Sequence, residues 1–569
     1  MVATSTPAPE SSAASSAPEK KRHPTLWVPS LYVAMGIPFN VIMSGTASSM
    51  YKELKLPDAQ ITVALGYMGI AWSAKPLWAA FLDMYRTKKF FVLFMELLLA
   101  ALFASVGLAL GLPSFFSITV AIFYIAAFSS STQDICGDGV YLTSLDRASQ
   151  ARWAGLQGTF WVTGKVIATG VLISQVEKLA NSQSWSLQSK WTVVMLIAGA
   201  MMGVFALYHY FMLPTGEVRQ RPENARAVFR EFAESGRAFF DKRMIWGMIA
   251  FVFLYRIGEG FILMEGRLFL QSSHSVGGLG FTAGQVADID AVYGTIASLL
   301  GGMLGGPLAA RVGLKRSIIF LALCLNVPHV TFMILSQLGA SGHGADYWTV
   351  VALVSIEKFG YGFGFVGNMI HMMHQLAPGQ YRMTHYAFAT ALMNLVLIPT
   401  NMASGPLAQW LGFKAFFIFV LFASVPSIVG AWLAPFPQEG LPEGKFVDDE
   451  TKLSETEKVV QRIAGRASIY AMLALLLILV IDVGVLGAME TSTGTLLFVL
   501  FGFLVASLLL KGVLVVRSMR TAGEAIVECN KEQTPNPYRS NALGAYAASA
   551  IAVALAIGTV ALGANRAFH

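Results

Sequence analysis

Asp134 and Asp138 stand four residues apart in a stretch whose neighbours are apolar or small, Gln133-Asp134-Ile135-Cys136-Gly137-Asp138. On a helix that separation puts both carboxylates on one face. Two carboxylates so close resist ionising together, which suits the binding of a proton; for Asp138, capping of a helix end is an equal alternative. Other charges stand in similar surroundings. Lys75 precedes Pro76, Arg256 and Glu259 are three apart, and Glu357-Lys358 leads into a stretch holding Gly360, Gly362, Gly364 and Gly367. Lys165 follows Trp161 by about one turn. The carboxylates offer proton exchange. Lys75, Lys165 and Arg256 offer attraction to anionic groups, and Gln133 and Trp161 offer polar and stacking contacts, although packing is the commoner use of such a tryptophan. Lys75 has Glu96 or Asp134 as a partner, and a purely structural ion pair is a serious alternative there.

Composition explains why these charges matter. Of 569 residues 55% are hydrophobic and 13% are charged, against roughly 25% charged in an ordinary soluble domain. So few charges cannot coat a water-facing surface, so the solvent around most of the chain is itself apolar. A charge at mid-bilayer costs about 2.5–3.5 kcal/mol on insertion scales, and side chains kept there face a cavity or a partner. The net charge of +7 sits in short loops, where it sets topology rather than binding nucleic acid.

Apolar runs of about 20 residues, enough to cross a bilayer as helix, occur about fifteen times. They centre near Val33, Gly69, Leu99, Ile122, Val166, Ala200, Phe253, Ser298, Leu325, Val354, Leu395 and Ile418, then near Leu477, Gly502 and Ala552. These are spans 1 to 15. Positive loops fix the orientation. The 2–3 loop, the 4–5 loop with Arg147 and Arg152, the 8–9 loop, and the 6–7 loop with Arg219, Arg221, Arg226, Arg230, Arg237, Lys242 and Arg243 all fall inside. The N-terminus is then cytoplasmic, and the C-terminus is outside.

The expected fold is an all-α integral membrane protein with six plus six spans, the layout of the major facilitator fold, and about three extra C-terminal spans. The divisions are a disordered cytoplasmic tail (1–24), a first half (25–213), a cytoplasmic linker with an amphipathic helix (214–243), a second half (244–437), a polar cytoplasmic linker (438–466) and accessory helices (467–569). A second polar linker runs from Arg517 to Arg539. A repeat supports the two halves. Asp83, Arg86, Lys88 and Lys89 after span 2 are echoed by Arg311, Lys315 and Arg316 after span 8. Both read as a tight basic turn at a cytoplasmic gate, a plain positive-inside turn being the alternative for either copy alone.

Several residues are read as structural. Glu265 and Arg267 fall near the outer end of span 7 and are expected to snorkel. His371 and His374 are polar helix-end residues, too few to hold a metal. Asp482 is isolated and pairs within the accessory helices. Cys136, Cys324 and Cys529 form neither a disulfide framework nor a metal site. No metal and no cofactor is expected. A membrane-embedded acyltransferase would need a catalytic His or Asp facing a cofactor tunnel, and the candidates, His371 and His374, lack a nearby acidic partner on their own helix.

Several motifs occur in one order. Gly36-Ile37-Pro38 and Ser44-Gly45-Thr46 lie in span 1, and Lys75-Pro76-Leu77-Trp78 lies in span 2, followed by Asp83. Gln133-Asp134-Ile135 with Asp138 lies in span 4, Tyr255-Arg256-Ile257-Gly258-Glu259 in span 7, and Glu357 with its glycines in span 10. From about Leu31 to Ala434 the chain resembles the AmpG-like muropeptide permeases of the major facilitator superfamily. The basic residue of span 5 falls one turn later here, at Lys165. The resemblance implies a monomeric, proton-coupled importer of a cell-wall-derived muropeptide or amino sugar in a bacterial inner membrane. Its relatives include importers of sugars, siderophores and acetyl-coenzyme A. It implies protons, a small-molecule substrate and membrane lipids as partners. Asp134, Asp138, Glu357 and Glu259 become proton-coupling candidates. Lys75, Gln133, Trp161, Lys165 and Arg256 become substrate-binding candidates.

Overall fold

A computed structural model describes residues 22–85, 87–215, 225–240, 242–340, 345–379, 381–438, 455–478, 482, 485, 495–529 and 539–568. The tail before residue 22, Arg86, Arg219 and Arg221 lie outside the described residues, as do the side chains of Asp83, Arg147 and Arg152. Every regular element among the described residues is helical. Spans 1, 3, 4, 5 and 6 are Pro24–Glu53, Lys88–Ala109, Phe115–Ser144, Leu156–Ser182 and Leu187–Met212. Span 2 is broken into Asp58–Met68, Ile70–Ser73 and Pro76–Tyr85. Proline at position 76 forbids a continuous ladder through the preceding turn, which leaves Lys75 at a break.

The second half repeats the plan. Spans 7 to 10 are Ile245–Gln271, Ala283–Val312, Leu314–Ala340 and Tyr347–Leu376. The long helix Thr384–Trp432 is divided at Gly412, whose φ of 73° is open to glycine and costly for other residues. Its two parts are spans 11 and 12. The accessory helices are Glu455–Leu477, Thr495–Cys529 and Arg539–Phe568, and the last two are long and apolar enough to cross a membrane. Helix thus begins at Glu455, inside the stretch read as a polar linker, and runs to Cys529, inside the second. The accessory bundle holds its own buried ion pair. Lys511 Nζ donates to Asp482 at 2.5 Å, and Thr559 donates to the same carboxylate at 2.7 Å. Asp482 is therefore partnered across helices.

Outward faces carry exposed Leu108, Val204, Met303, Phe422 and Leu509. In water such a surface would aggregate; in lipid it is the ordinary exterior. The protein is therefore a multi-pass membrane protein. Between the halves lies the linker helix, Ala225–Phe240. Phe239 on it is fully buried, and His385 of span 11 lies 3.1 Å from the carbonyl of Ser235. We call that face of the molecule the linker side. Beside it, the turn between spans 8 and 9 passes through Gly313 at φ 88°, with Arg311, Lys315 and Arg316 exposed. The backbone N–H of Lys89, just past the 2–3 turn, donates to the Thr215 carbonyl at 3.1 Å and ties the start of span 3 to the chain beyond span 6.

Among the described residues of the two halves, π-helical turns occur at Asn40–Ser44 in span 1, Val166–Val171 in span 5, Ala287–Tyr293 in span 8 and Met372–Leu376 in span 10. Such turns concentrate where helices serve a site. Span 2 packs along span 11, the π-turns of spans 5 and 8 meet, and span 7 touches span 1, so the halves meet along several seams.

Candidate functional site

A cavity of about 750 Å³ opens between the halves. Its wall includes Tyr32, Trp72, Lys75 and Asp138 from the first half and Thr390 and Asn394 from span 11. Glu231, Phe232 and Ser235 of the linker helix border it, so it reaches the linker side. The volume lies in the range of ligand sites.

In its first-half wall, Lys75 Nζ donates to Asp134 Oδ2 at 2.6 Å, and Trp72 Nε1 donates to the same oxygen at 3.1 Å. The break in span 2 aims Lys75 across at span 4. Of the two partners open to Lys75, the structure takes Asp134. Glu96 lies deeper, 2.7 Å from His209 Nδ1 and 3.1 Å from Gln133 Nε2. Gln133 is fully buried there and sits in the core rather than in the cavity wall. Asp138 accepts from Tyr32 at 2.9 Å, and Tyr32 in turn accepts from Gln157 at 2.8 Å. Asp134 is buried whereas Asp138 is exposed. One carboxylate is therefore locked to a cation, and its neighbour one turn away is open to water.

A second group of charges lies in span 7. Arg256 holds Glu259 through two hydrogen bonds, of 2.7 and 2.5 Å, and its guanidinium lies 4.9 Å from the Phe365 ring. Arg256 Nη1 reaches Asn394 Oδ1 at 3.4 Å, and Asn394 borders the cavity. Arg256 thus stands behind the wall rather than on it.

The third group was not anticipated. Asp290, in the π-turn of span 8, gathers three cations from three other spans. Arg267 donates at 2.7 Å, Lys358 lies at 3.5 Å and Lys165 at 3.6 Å. Lys358 also contacts Glu357 at 3.0 Å. Three cations here face two carboxylates. Lys165 belongs to the first half and the others to the second, so the cluster bridges the seam. Arg267 does not snorkel: it is buried and turned inward. A Cβ on Gly45 would lie 2.7 Å from its guanidinium, so the span 1 Ser-Gly-Thr element has glycine where Arg267 crosses. Glu265 is buried too. The signal for Asp290 was available, since it is an acid at the head of an apolar run.

Trp161 packs partly buried against Phe39, ring centroids 5.2 Å apart, and does not line the cavity. Lys88 does line it. His371 is buried against the Pro435 carbonyl while His374 is exposed, and no group able to hold a metal occurs among the described residues.

The face opposite the linker side is closed. Glu177 of span 5 accepts from the Gly284 N–H at 3.0 Å and from Thr282 Oγ1 at 2.5 Å, at the head of span 8. Glu53, at the end of span 1, accepts from the Ala283 N–H at 3.3 Å. Lys190 bridges the two carboxylates at 2.5 and 3.2 Å. Two acids of the first half thus cap the positive end of a helix in the second, an arrangement the helix dipole favours.

Residues 36–416 match the BT1 family. The anhydromuropeptide permease of Escherichia coli K12 is 22% identical over 407 residues, covering 70% of this chain and 76% of that one. The protein named transporter AmpG 3 in Rickettsia typhi is 25% identical over 396 residues, covering 67% and 89%. Among solved structures, the nucleoside transporter NupG superposes with a TM-score of 0.54 at 14% identity, covering 71% of this chain and 97% of NupG. A D-xylose-proton symporter gives 0.54 at 14%, covering 75% and 99%. At such identity the two structures speak for the fold alone, and that fold is the major facilitator fold.

Proposed function

The chain belongs to the BT1 family, and from that premise we propose that it is a proton-coupled secondary transporter importing a cell-wall-derived muropeptide or amino sugar across a bacterial inner membrane. The observation that carries this reading is the one-sided cavity, bordered by the linker helix at one face and closed at the other by Glu53, Glu177 and Lys190. Two halves around one central site, sealed on one side only, are what alternating access requires.

The residues take roles from their surroundings. Asp138 exchanges protons with water in the cavity, and Asp134 exchanges its proton against the Lys75 contact. Lys75 and Lys88 in the wall attract an anionic solute. Arg256, behind Asn394, and the Lys165–Arg267–Lys358 group add positive potential near the seam. Glu259 and Glu357 keep that potential in balance as pairing partners. Lys88, Lys89, Arg311, Lys315 and Arg316 serve the gate turns on the linker side, to which the sequence adds Asp83 and Arg86. The name of the Escherichia coli relative supplies the substrate class. A carrier needs no nucleophile, and we read the chain as a carrier rather than an enzyme.

Import requires the linker side to be cytoplasmic, as the excess of Arg and Lys on the 6–7 and 8–9 loops indicates. A reporter fused after Arg226 should then score cytoplasmic and one in the 181–188 loop periplasmic; the opposite labelling reverses the direction of transport. Uptake of labelled anhydromuropeptide into right-side-out vesicles tests the activity. The label should accumulate intact and the accumulation should collapse with a protonophore. Chemically altered label would point to an enzyme, and no uptake by a correctly inserted chain would overturn the substrate class.

A further inference from the structure

Glu265 lies in the part of span 7 remote from the linker side, on the helix Ile257–Gln271. It has no exposed surface, and neither of its carboxylate oxygens is bonded to a protein group. The other buried membrane acids differ. Asp134, Glu259, Asp290, Glu357 and Asp482 each contact a cation, and Glu96 accepts from Gln133. An ionised carboxylate with neither water nor a partner is among the costliest arrangements in a protein interior, and such a group neutralises instead.

The place of Glu265 in the fold gives a proton there a use. Beside Glu265, span 7 meets span 1 at the closed face: Gln271 donates to Ser49 at 2.9 Å, and Arg267 lies 3.5 Å from the same hydroxyl. The charged groups acting on Glu265 are Asp58 of span 2 and Lys52 of span 1. Those two hold each other at 2.5 Å, so Lys52 is not free to neutralise Glu265. Arg267, on the same helix, is committed to Asp290. When the closed face opens, span 7 parts from spans 1 and 2 and water reaches the carboxyl, which then releases its proton to that compartment.

We propose that Glu265 is a proton-binding site, filled when the face opposite the linker side is closed and emptied to that face when it opens. This rests on the alternating-access reading above and is independent of the solute carried. Closure takes up one proton from the outer compartment. The closed state binds more protons than the open one, so rising pH favours opening, by up to about tenfold in the closed-to-open ratio per pH unit.

The test uses the full-length protein in nanodiscs, with spin labels at Gln183 and Val276 on the exposed loops of the two halves at the closed face. In the wild type the inter-label distance should lengthen as pH rises. In Glu265→Gln, which is always neutral, it should stay short at every pH; should that variant not fold, the apolar Glu265→Met serves instead. Infrared spectra should show a protonated-carboxyl band in the closed wild type that the variant lacks. The same pH response in wild type and variant, or no loss of that band, overturns the proposal. A distance that ignores pH yet changes on adding anhydromuropeptide would sink the Glu265 site and keep alternating access. A distance that ignores both would sink the transport reading as well.

Discussion

Asp134→Asn should abolish accumulation of solute against its gradient while leaving exchange down the gradient. Asp134 gives one oxygen to Lys75 at 2.6 Å and to Trp72 at 3.1 Å, and its second oxygen has no hydrogen-bond partner. Asn preserves the shape and still accepts from Trp72 and Lys75, but it cannot take up or release a proton. Lys75 then keeps a fixed charge through the whole cycle, and the wall can no longer change its charge at that position. A carrier without its titrating group equilibrates its solute, so the accumulation ratio falls to about one, as free-energy coupling requires. Proteoliposomes assayed with and without an imposed pH gradient read this directly. Asp138→Asn is the companion variant, because Asp138 is the carboxylate exposed in the cavity. If Asp134→Asn still concentrates solute, Asp134 is structural, and Glu357 or Glu259 becomes the better coupling candidate.

The second large effect is on stability. Asp290 is buried and holds Arg267, Lys358 and Lys165 together. Removing one partner of a buried ion pair strands the others and costs about 3–5 kcal/mol, so Asp290→Asn should unfold at a clearly lower temperature than wild type. Glu524 is the control. It pairs with Arg520 at 3.2 Å on the surface, where such a pair contributes about 0–1 kcal/mol, so Glu524→Gln should hardly move the midpoint. Adding Lys165→Met to Asp290→Asn removes one of the stranded cations and should recover part of the loss. Thermal unfolding of the purified variants decides the matter. Equal midpoints for Asp290→Asn and Glu524→Gln would show that the cluster does not hold the halves together.

The membrane architecture was legible because bilayer thickness sets a length that apolar runs must match, and because basic loops alternate along the chain. The first-half wall was legible for a related reason: Lys75, Asp134 and Asp138 are charges inside such runs. Within one helix, spacing also gave the Arg256–Glu259 pair. Partners on different helices were another matter. Spacing of three or four residues reports neighbours on one helix only, so the meeting of Asp290 with Lys165, Arg267 and Lys358 could not be read off. Counting residues placed Glu265 and Arg267 near the end of span 7, and depth alone suggested snorkelling. Depth says nothing about which way a side chain points, and both turn toward the other half. The polar stretches from Gln438 and Arg517 read as linkers in the sequence, yet helix Glu455–Leu477 begins within the first and helix Thr495–Cys529 runs into the second. Polarity reports the solvent a segment meets, not its backbone.

The wide turns of spans 5 and 8 carry one residue beyond a regular helix, so everything past them is rotated by about 100° relative to an uninterrupted helix. Lys165 stands at the threshold of one such turn, and Asp290 lies within the other. Their meeting across the seam is thus a matter of phase as well as of residue type. Deleting a single residue from either turn would restore a regular helix and swing one partner off the shared face, with every charge still present in the sequence. In this fold an inserted residue is as informative as a substituted one, and alignments that forbid a one-residue gap inside a membrane helix would lose sight of it.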